Sequence, residues 1–260
     1  MSSAHYRVFG DCVLLFNGQS DEDIMNNYSL SLVFPAYNEE ENLEKLVKDA
    51  DDAGRQNVED YEIIVVDDGS TDGTPRILNQ LKKDYPNLVV YTHSPNKGYT
   101  AALRTGFSKA RKDLIFYSDA DNQFNLKEIY LLLESIDNND MVVGYRRDRQ
   151  DSWIRIFVSR CFNVISHAVF HFTVRDVDCA FKLFRRKVFD KIKITSDHFM
   201  VDTEIMSKAV VYGFCVTEVG VTHLPRQAGE TTVKPTDVIK TLKGMAKLRK
   251  ELAQIRKELN

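Results

Sequence analysis

Leu114-Ile-Phe-Tyr-Ser-Asp-Ala-Asp-Asn-Gln123 joins an apolar run to two carboxylates set one residue apart. Side chains of an extended chain alternate faces, so Asp119 and Asp121 share one side and can hold one cation between them. Hard cations such as Mg2+ or Mn2+ take carboxylate oxygens and complete their shells with substrate phosphates. A strand that empties into Asp-x-Asp therefore suits a metal-bound diphosphate. Asp also favours turns, so the decapeptide alone is compatible with turn chemistry after a strand. A calcium EF-hand loop fits poorly: counted from Asp119, the sixth position is Phe124 rather than Gly and the twelfth Tyr130 rather than Glu.

Outward from this stretch, residues 30–36, 61–66, 88–92 and 140–144 are further short apolar runs rich in Val, Ile, Leu and aromatics. Near-continuous runs of this kind are strands covered on both faces. Segments of helical spacing at roughly 40–54, 72–84, 97–111 and 125–137 separate them. The alternation predicts right-handed βαβ units: an α/β fold with a mainly parallel, Rossmann-like sheet flanked by helices. Ligands of such sheets collect beyond the carboxyl ends of the strands. Polar loops stand at those ends: Pro35-Ala-Tyr-Asn-Glu-Glu40, Asp67-Asp-Gly-Ser-Thr-Asp72, His93 to Gly98, and Asp119 to Gln123. Asp67 and Asp68 offer acceptors for base and ribose groups, while Ser70 or Thr71 can cap the next helix. Lys97, ahead of another helix, suits phosphate, although a solvated turn lysine reads the same way.

The chain has 260 residues, 43% of them hydrophobic, and a formal net charge of −3. That allows one large α/β core, or one domain with an appendage. Cysteines 12, 161, 179 and 215 form no C-x-x-C pair and read as reduced residues of a cytosolic protein. No apolar stretch reaches the length of a membrane span, and Val13–Phe16 is too short for a signal-peptide core. A soluble or membrane-surface protein is expected, with no nucleic-acid partner. Residues 234–260 carry eight basic and three acidic side chains, so the tail is +5 and the remainder −8. Residues 1–28 are weakly patterned and read as an N-terminal extension, with a possible short strand at 12–16.

The ordered series Leu30-Ser-Leu-Val-Phe-Pro-Ala-Tyr-Asn-Glu-Glu40, Ile64-Val-Val-Asp-Asp-Gly-Ser-Thr-Asp-Gly-Thr74, Asn96-Lys-Gly98 and Ser118-Asp-Ala-Asp-Asn-Gln123 resembles the family 2 glycosyltransferases over about residues 30–146. The resemblance implies the GT-A (nucleotide-diphospho-sugar transferase) fold. It implies that Pro35, Ala36, Tyr37, Glu39, Asp67, Asp68 and Lys97, with Ala120, line the donor site. It also implies that Asp119 and Asp121 carry Mg2+ or Mn2+ with the diphosphate, assisted by Gln123.

Further motifs narrow the resemblance. Gly144-Tyr-Arg146, Trp153-Ile-Arg155, Ser159-Arg-Cys-Phe-Asn163, Arg175-Asp-Val-Asp-Cys-Ala-Phe-Lys-Leu-Phe-Arg-Arg186 and Pro225-Arg-Gln-Ala-Gly-Glu230 are similar to the dolichyl-phosphate mannose synthase and undecaprenyl-phosphate glucosyltransferase branch. That branch implies a polyprenyl phosphate acceptor held by Arg146, Arg155 and Ser159. It sets Asp178 near the acceptor and Arg226 on a closing loop. The pattern departs at Ala180, where the family has Gly, and in the short charged loop after Arg146. Arginine suits bidentate recognition of phosphate, and residues 144–193 are rich in it.

Residues 153–172 mix aromatic and aliphatic side chains with Arg155, Arg160, His167 and His171, as an amphipathic helix in a headgroup layer would. A core helix with a basic edge gives the same pattern. In the tail, Val238, Leu242, Met245, Leu248, Leu252, Ile255 and Leu259 recur at three- and four-residue steps. Membrane-surface contact, a homo-oligomeric coiled-coil seam and docking on the chain's own core all fit.

The expected division is an extension at 1–28, a catalytic domain at 29–235 with its donor half ending near 146 and its acceptor half at 147–235, and a basic helix at 236–260. The expected chemistry is inverting, metal-dependent sugar transfer from a UDP- or GDP-linked hexose to a polyprenyl phosphate at the cytoplasmic face of a membrane. Three alternatives stand beside it. A hydroxyl acceptor would need a base, namely Asp178 or an acid near Asp202 and Glu204. The other two are a non-catalytic sugar-nucleotide binder and a nucleotidyltransferase, although Pro35 to Glu40 lacks the Gly-rich loop of the latter. His223 reads as a surface histidine, and His198 has no defined role.

Overall fold

The computed structural model describes residues 6–9, 28–147, 153–196, 200–225 and 236–259. The central sheet begins with β2 (Leu30–Ala36), whose seven side chains are all buried, so both its faces are covered. Helix α1 (Leu43–Asn57) supplies one cover, burying Leu43, Leu46, Val47, Ala50 and Ala53 at helical spacing. Strand β3 (Tyr61–Asp67), helix α2 (Thr74–Asp84) and strand β4 (Leu88–Thr92) extend the βα pattern. Helix α3 (Tyr99–Lys109) packs close on β2, because a Cβ on Gly106 would stand 2.3 Å from Val33 Cγ1. Strand β5 (Leu114–Ser118) is again wholly buried.

The segment 125–137 differs from the single helix its spacing predicts. A 3-10 turn at Leu126–Glu128 leads into the short α4 (Ile129–Leu133). Ser135 Oγ donates to the Leu131 carbonyl, and Asn139 Nδ2 to that of Ser135, so side chains engage carbonyls at the end of the helix.

Strand β6 (Met141–Arg147) and helix α5 (Trp153–Phe170) open the second half. They are followed by β7 (Phe181–Arg185), α6 (Lys187–Lys191), α7 (Val201–Tyr212), β8 (Val216–Thr222) and α8 (Thr236–Leu259). With β1 (Tyr6–Phe9), the strand order is β1-β8-β6-β7-β5-β2-β3-β4. The pairs β2–β3, β2–β5, β3–β4 and β6–β8 are parallel. Strand β7 lies antiparallel between β5 and β6, and β1 is an antiparallel edge on β8.

This topology decides where the loops meet. Ser118 pairs with Phe181, so the chain entering β7 through residues 176–180 abuts the loop leaving β5. Arg147 pairs with Thr222, which brings the end of β6 beside the loop that leaves β8. One rim thus gathers the carboxyl ends of β2, β3, β5, β6 and β8 and the start of β7.

The N-terminal extension contributes a strand at 6–9, whereas the expected strand at 12–16 lies outside the described residues. Cys215 is disulfide-bonded, which corrects the expectation of four reduced cysteines. Sequence spacing does not reveal which thiols the strands bring together. Cys179 is free and buried.

The tail helix docks on the chain's own core. Met245, Leu248 and Leu252 are buried, and Lys208 Nζ donates to Glu251 Oε1 at 2.6 Å and to Glu204 Oε1 at 2.6 Å. These apolar positions are occupied internally and do not form an open seam for a second copy. Among the described residues, no helix is long and apolar enough to cross a membrane.

Candidate active site

Asp119 and Asp121 lie in the bend just beyond the end of β5, near enough for the charge of Asp121 to act on Asp119. Tyr99, at the first position of α3, donates its hydroxyl to Asp119 Oδ1 at 2.8 Å. Asp121 Oδ1 accepts the Gln123 amide at 3.1 Å, and Asn122, at φ 56°, donates its side-chain amide to the Asn42 carbonyl. The loop is thereby fixed to the start of α1. Gln123 donates Nε2 to the Leu224 carbonyl at 3.3 Å. Burial, then the neighbouring charge of Asp121, push the Asp119 carboxyl well above its ordinary range, with Tyr99 opposing.

Two close carboxylates, one of them raised in pKa by burial and by the charge of the other, suit a divalent cation. Among the described residues no group of three His, Cys, Asp or Glu side chains is arranged to chelate a metal unaided. A carboxylate pair of this kind suits an ion that completes its shell with water and phosphate oxygens.

His223, expected at the surface, is buried. It forms a β-bridge with Phe124, and its ring meets the Phe124 ring edge-on at 5.5 Å. The Leu224 amide donates to the Gln123 carbonyl at 2.8 Å. The segment after β8 is thus stitched to the Asp-x-Asp loop.

On the donor side, the loops after β2 and β3 clasp each other. Asn38 Oδ1 accepts the Thr71 amide, and Ser70 Oγ accepts that of Asn38. Gly69 sits at φ 73°, where a Cβ would meet the Asn96 amide nitrogen at 2.8 Å, so the turn needs glycine. Asp67 and Asp68 have different roles. Asp67 Oδ1 accepts the Ser70 amide, while its Oδ2 is buried with no hydrogen-bond partner among the described residues.

Asp68 is engaged within the protein. It accepts the amides of Lys97 and Gly98 at 2.9 and 2.7 Å, and His93 Nδ1 lies 2.6 Å from its Oδ1. His93 Nε2 in turn meets Thr105 Oγ1 at 2.9 Å. This clamp fixes the loop that presents the exposed Lys97 side chain. Pro35 and Ala36 are buried at the end of β2, Tyr37 is 47% exposed, and Glu39 Oε2 accepts from Asn42 Nδ2. Ala120 is buried between the two acids.

On the other side of the rim, Arg146 is engaged by Asp176. Its Nε and Nη2 donate to the two Asp176 oxygens at 2.6 and 2.7 Å, and both side chains are 8% exposed. Asp178 has no hydrogen-bond partner among the described residues. Burial, then the charges of Asp202 and Asp176, raise its pKa to about 7, against the opposing charges of Lys182 and Arg146.

The two other acids considered as bases are committed elsewhere. Asp202 accepts from Tyr117 and from the buried Lys182. Glu204 accepts from Lys208, Thr195 and Ser196; burial alone would raise its pKa, yet these bonds hold it below the ordinary value. Ser159 is half-buried on α5. The side chain of Arg155, and both His198 and Arg226, lie outside the described residues.

Sequence reasoning passed over Tyr99, His93, Asn122 and Lys182. Lys182 did leave a signal: it stands alone among the apolar residues Cys179-Ala-Phe and Leu-Phe184.

Known proteins resemble this chain in sequence and in fold. The chain is 31% identical over 215 residues to the undecaprenyl-phosphate 4-deoxy-4-formamido-L-arabinose transferase of Pseudomonas fluorescens, covering 82% of this chain. It is 31% identical over 204 residues to the transferase of that name in Proteus mirabilis, covering 78% of this chain. The matches span 62% of the length of each relative.

Among solved structures, the glucosyl-3-phosphoglycerate synthase of Mycobacterium tuberculosis with Mn2+, UDP and glucosyl-3-phosphoglycerate superposes with TM-score 0.64 at 15% identity. The superposition covers 95% of this chain and 86% of that one. A mannosyltransferase from Pyrobaculum calidifontis, in complex with GDP-Man and Mn2+, gives TM-score 0.57 at 18% identity, covering 78% of this chain and 58% of that one. These likenesses establish a GT-A-like fold. The glycosyl transferase family 2 model matches residues 31–193, and the chain belongs to that family.

Proposed function

We propose that this chain transfers a sugar from a UDP- or GDP-linked donor to a polyprenyl phosphate, with inversion, using a divalent cation held by Asp119 and Asp121. The observation that carries the reading is the close carboxylate pair at the sheet rim, with the Asp119 pKa raised by burial and by the Asp121 charge, set between the clamped Lys97 loop and the loops bearing Arg146 and Asp176. Two facts about other proteins support it. The curated relatives are named as undecaprenyl-phosphate sugar transferases, and structural neighbours hold UDP or GDP-Man with Mn2+.

In this reading Asp67, with its unsatisfied oxygen, and the exposed Tyr37 receive the nucleoside, and Lys97 faces the diphosphate. Pro35, Ala36, Glu39 and Ala120 shape the donor cleft. Asp68 acts by holding the Lys97 loop. A bound Mg2+ or Mn2+ would neutralise charge on the departing diphosphate. Asp119, Asp121 and Gln123 are the residues that would hold it. Arg146, oriented by Asp176, acts with Arg155, Ser159 and Arg226 to receive the acceptor phosphate and offset repulsion between two anionic substrates.

A phosphate monoester has a second pKa of roughly 6, so it reaches the site already ionised. Its oxygen attacks the anomeric carbon in line as the bond to the diphosphate breaks, and no protein base is required. Exposed Val164 and Ile165 on α5, and exposed Lys243, Lys247, Arg249 and Lys250 on α8, support contact with the cytoplasmic surface of a membrane.

One observation favours a second reading. Asp178, at about 7 and without a hydrogen-bond partner among the described residues, is suited to take a proton from a hydroxyl acceptor. A donor panel of UDP-glucose, GDP-mannose and UDP-GlcNAc with a short polyprenyl phosphate and Mg2+ or Mn2+ tests the proposal. Lipid-linked sugar from one donor supports it, and transfer only to hydroxyl acceptors overturns it.

A further inference from the structure

Lys182 is 1% exposed on β7, yet it carries an ammonium group. Its Nζ donates to Asp202 Oδ1 at 2.6 Å, to the Cys179 carbonyl at 2.5 Å and to the Val177 carbonyl at 3.0 Å, with Tyr117 Oη at 3.4 Å. Four parts of the molecule converge on this atom: β5 through Tyr117, α7 through Asp202, β7 itself, and the turn that precedes it. Asp202 also receives the Tyr117 hydroxyl, so the carboxylate is held from two sides.

A buried ion pair seldom adds stability over well-packed apolar residues of the same volume. A methionine at 182 facing an apolar partner at 202 would fill the space without the desolvation cost. What the ammonium supplies is a fixed geometry for two backbone carbonyls. Those carbonyls belong to the turn that carries Asp176 and Asp178, and Asp176 orients Arg146. The turn's other ties are the Arg146–Asp176 pair, the Val177 amide donating to Asn163 Oδ1 at 3.3 Å and the Cys179 amide donating to the Asp176 carbonyl at 3.2 Å; none of them holds the Val177 and Cys179 carbonyls.

We propose that Lys182 is the positioning residue of the acceptor half, drawing the 176–179 turn onto Asp202 and so setting where Asp176, Asp178 and Arg146 stand. Lys182 itself touches no substrate in this account. The inference rests on the reading of the 176–180 turn as acceptor-facing.

The test compares wild type with Lys182→Met and Lys182→Arg by two readouts. In amide hydrogen exchange, Lys182→Met is expected to speed exchange in the 175–181 peptide about tenfold or more, while the 61–67 peptide of β3 is unchanged. In kinetics, the KM for polyprenyl phosphate is expected to rise about tenfold, the donor KM to stay within about twofold, and Lys182→Arg to recover part of the loss. Unchanged exchange at 175–181, exchange raised alike everywhere, or donor and acceptor KM rising together would overturn the proposal.

If Lys182→Met does not fold, Asp202→Asn weakens the same anchor and must give the same pattern at smaller amplitude, or the proposal fails. A wild-type protein that makes no lipid-linked sugar would sink the acceptor reading instead, and the exchange comparison would still judge the anchor.

Discussion

The Asp119 carboxylate carries charge that the metal-free protein does not neutralise, which gives Asp119→Asn a distinctive signature. Its pKa is raised from 3.8 to about 7, by burial first and by the Asp121 charge second. The folded state therefore binds this proton more tightly than the unfolded chain does. The resulting stabilisation is complete below about pH 4 and is lost as pH rises through about 7. Asparagine never ionises, so the variant keeps what wild type loses, and its Oδ1 still accepts the Tyr99 hydroxyl. Three pKa units correspond to about 4 kcal/mol, and the residue's partial exposure reduces this to about 2 kcal/mol.

For a chain of this size, that is a melting temperature about 4–8 °C above wild type at pH 8 in chelator. At pH 5 the gain should shrink to about a third of that, because the folded wild type is still protonated and only the unfolded chain has ionised. Adding Mn2+ and nucleoside diphosphate should raise the wild-type melting temperature and leave the variant unmoved, and the variant should show no turnover. Thermal unfolding at both pH values decides the matter. An equal gain at pH 5 and pH 8, or a loss at pH 8, would refute the reasoning that this charge is unbalanced.

Three further outcomes are expected. His93→Phe removes the side chain that supports Asp68; losing a hydrogen bond to a charged group costs about 1.5–3 kcal/mol, so the donor KM should rise about tenfold or more with kcat little changed in steady-state kinetics. Asp176→Asn breaks the bidentate pair and leaves the Arg146 guanidinium buried without its counter-charge, which should cost about 3–5 kcal/mol in urea unfolding. Asp178→Asn should leave transfer to a phosphate acceptor measurable. If the acceptor is a hydroxyl, the wild-type rate should instead rise with pH through about 7, as Asp178 loses its proton, and the variant should be inactive.

Strands β2 to β6 were legible because each is a short apolar run ending in polar loop residues, and they begin and end close to where those runs do, whereas the parallel β8 (Val216–Thr222), broken by Thr217, Glu218 and Gly220, was not. Strand β7 was not, because Phe181–Arg185 lies inside an arginine-rich motif and its direction depends on neighbours far away in the chain. The Asp-x-Asp pair was legible as a motif following an apolar run, although both acids lie in the bend beyond β5 and not on the strand itself. Asp67 and Asp68 read alike in sequence; what separates them, the His93, Lys97 and Gly98 partners of Asp68, appears only with the fold. The pairing of Arg146 with Asp176 was not legible, because it spans thirty residues. The spacing in the tail allowed three docking surfaces, and the Lys208–Glu251 contact is what identifies the core as the one used.

Titration of UDP and GDP into wild type and Asp121→Ala, each with Mn2+ and with excess chelator, tests the metal–diphosphate site most directly. The account predicts that one nucleotide binds wild type at least about a hundredfold more tightly with Mn2+, a difference of about 2.7 kcal/mol, and that Asp121→Ala loses this gain. Equal affinity in chelator, or an undiminished Mn2+ gain in Asp121→Ala, would contradict it.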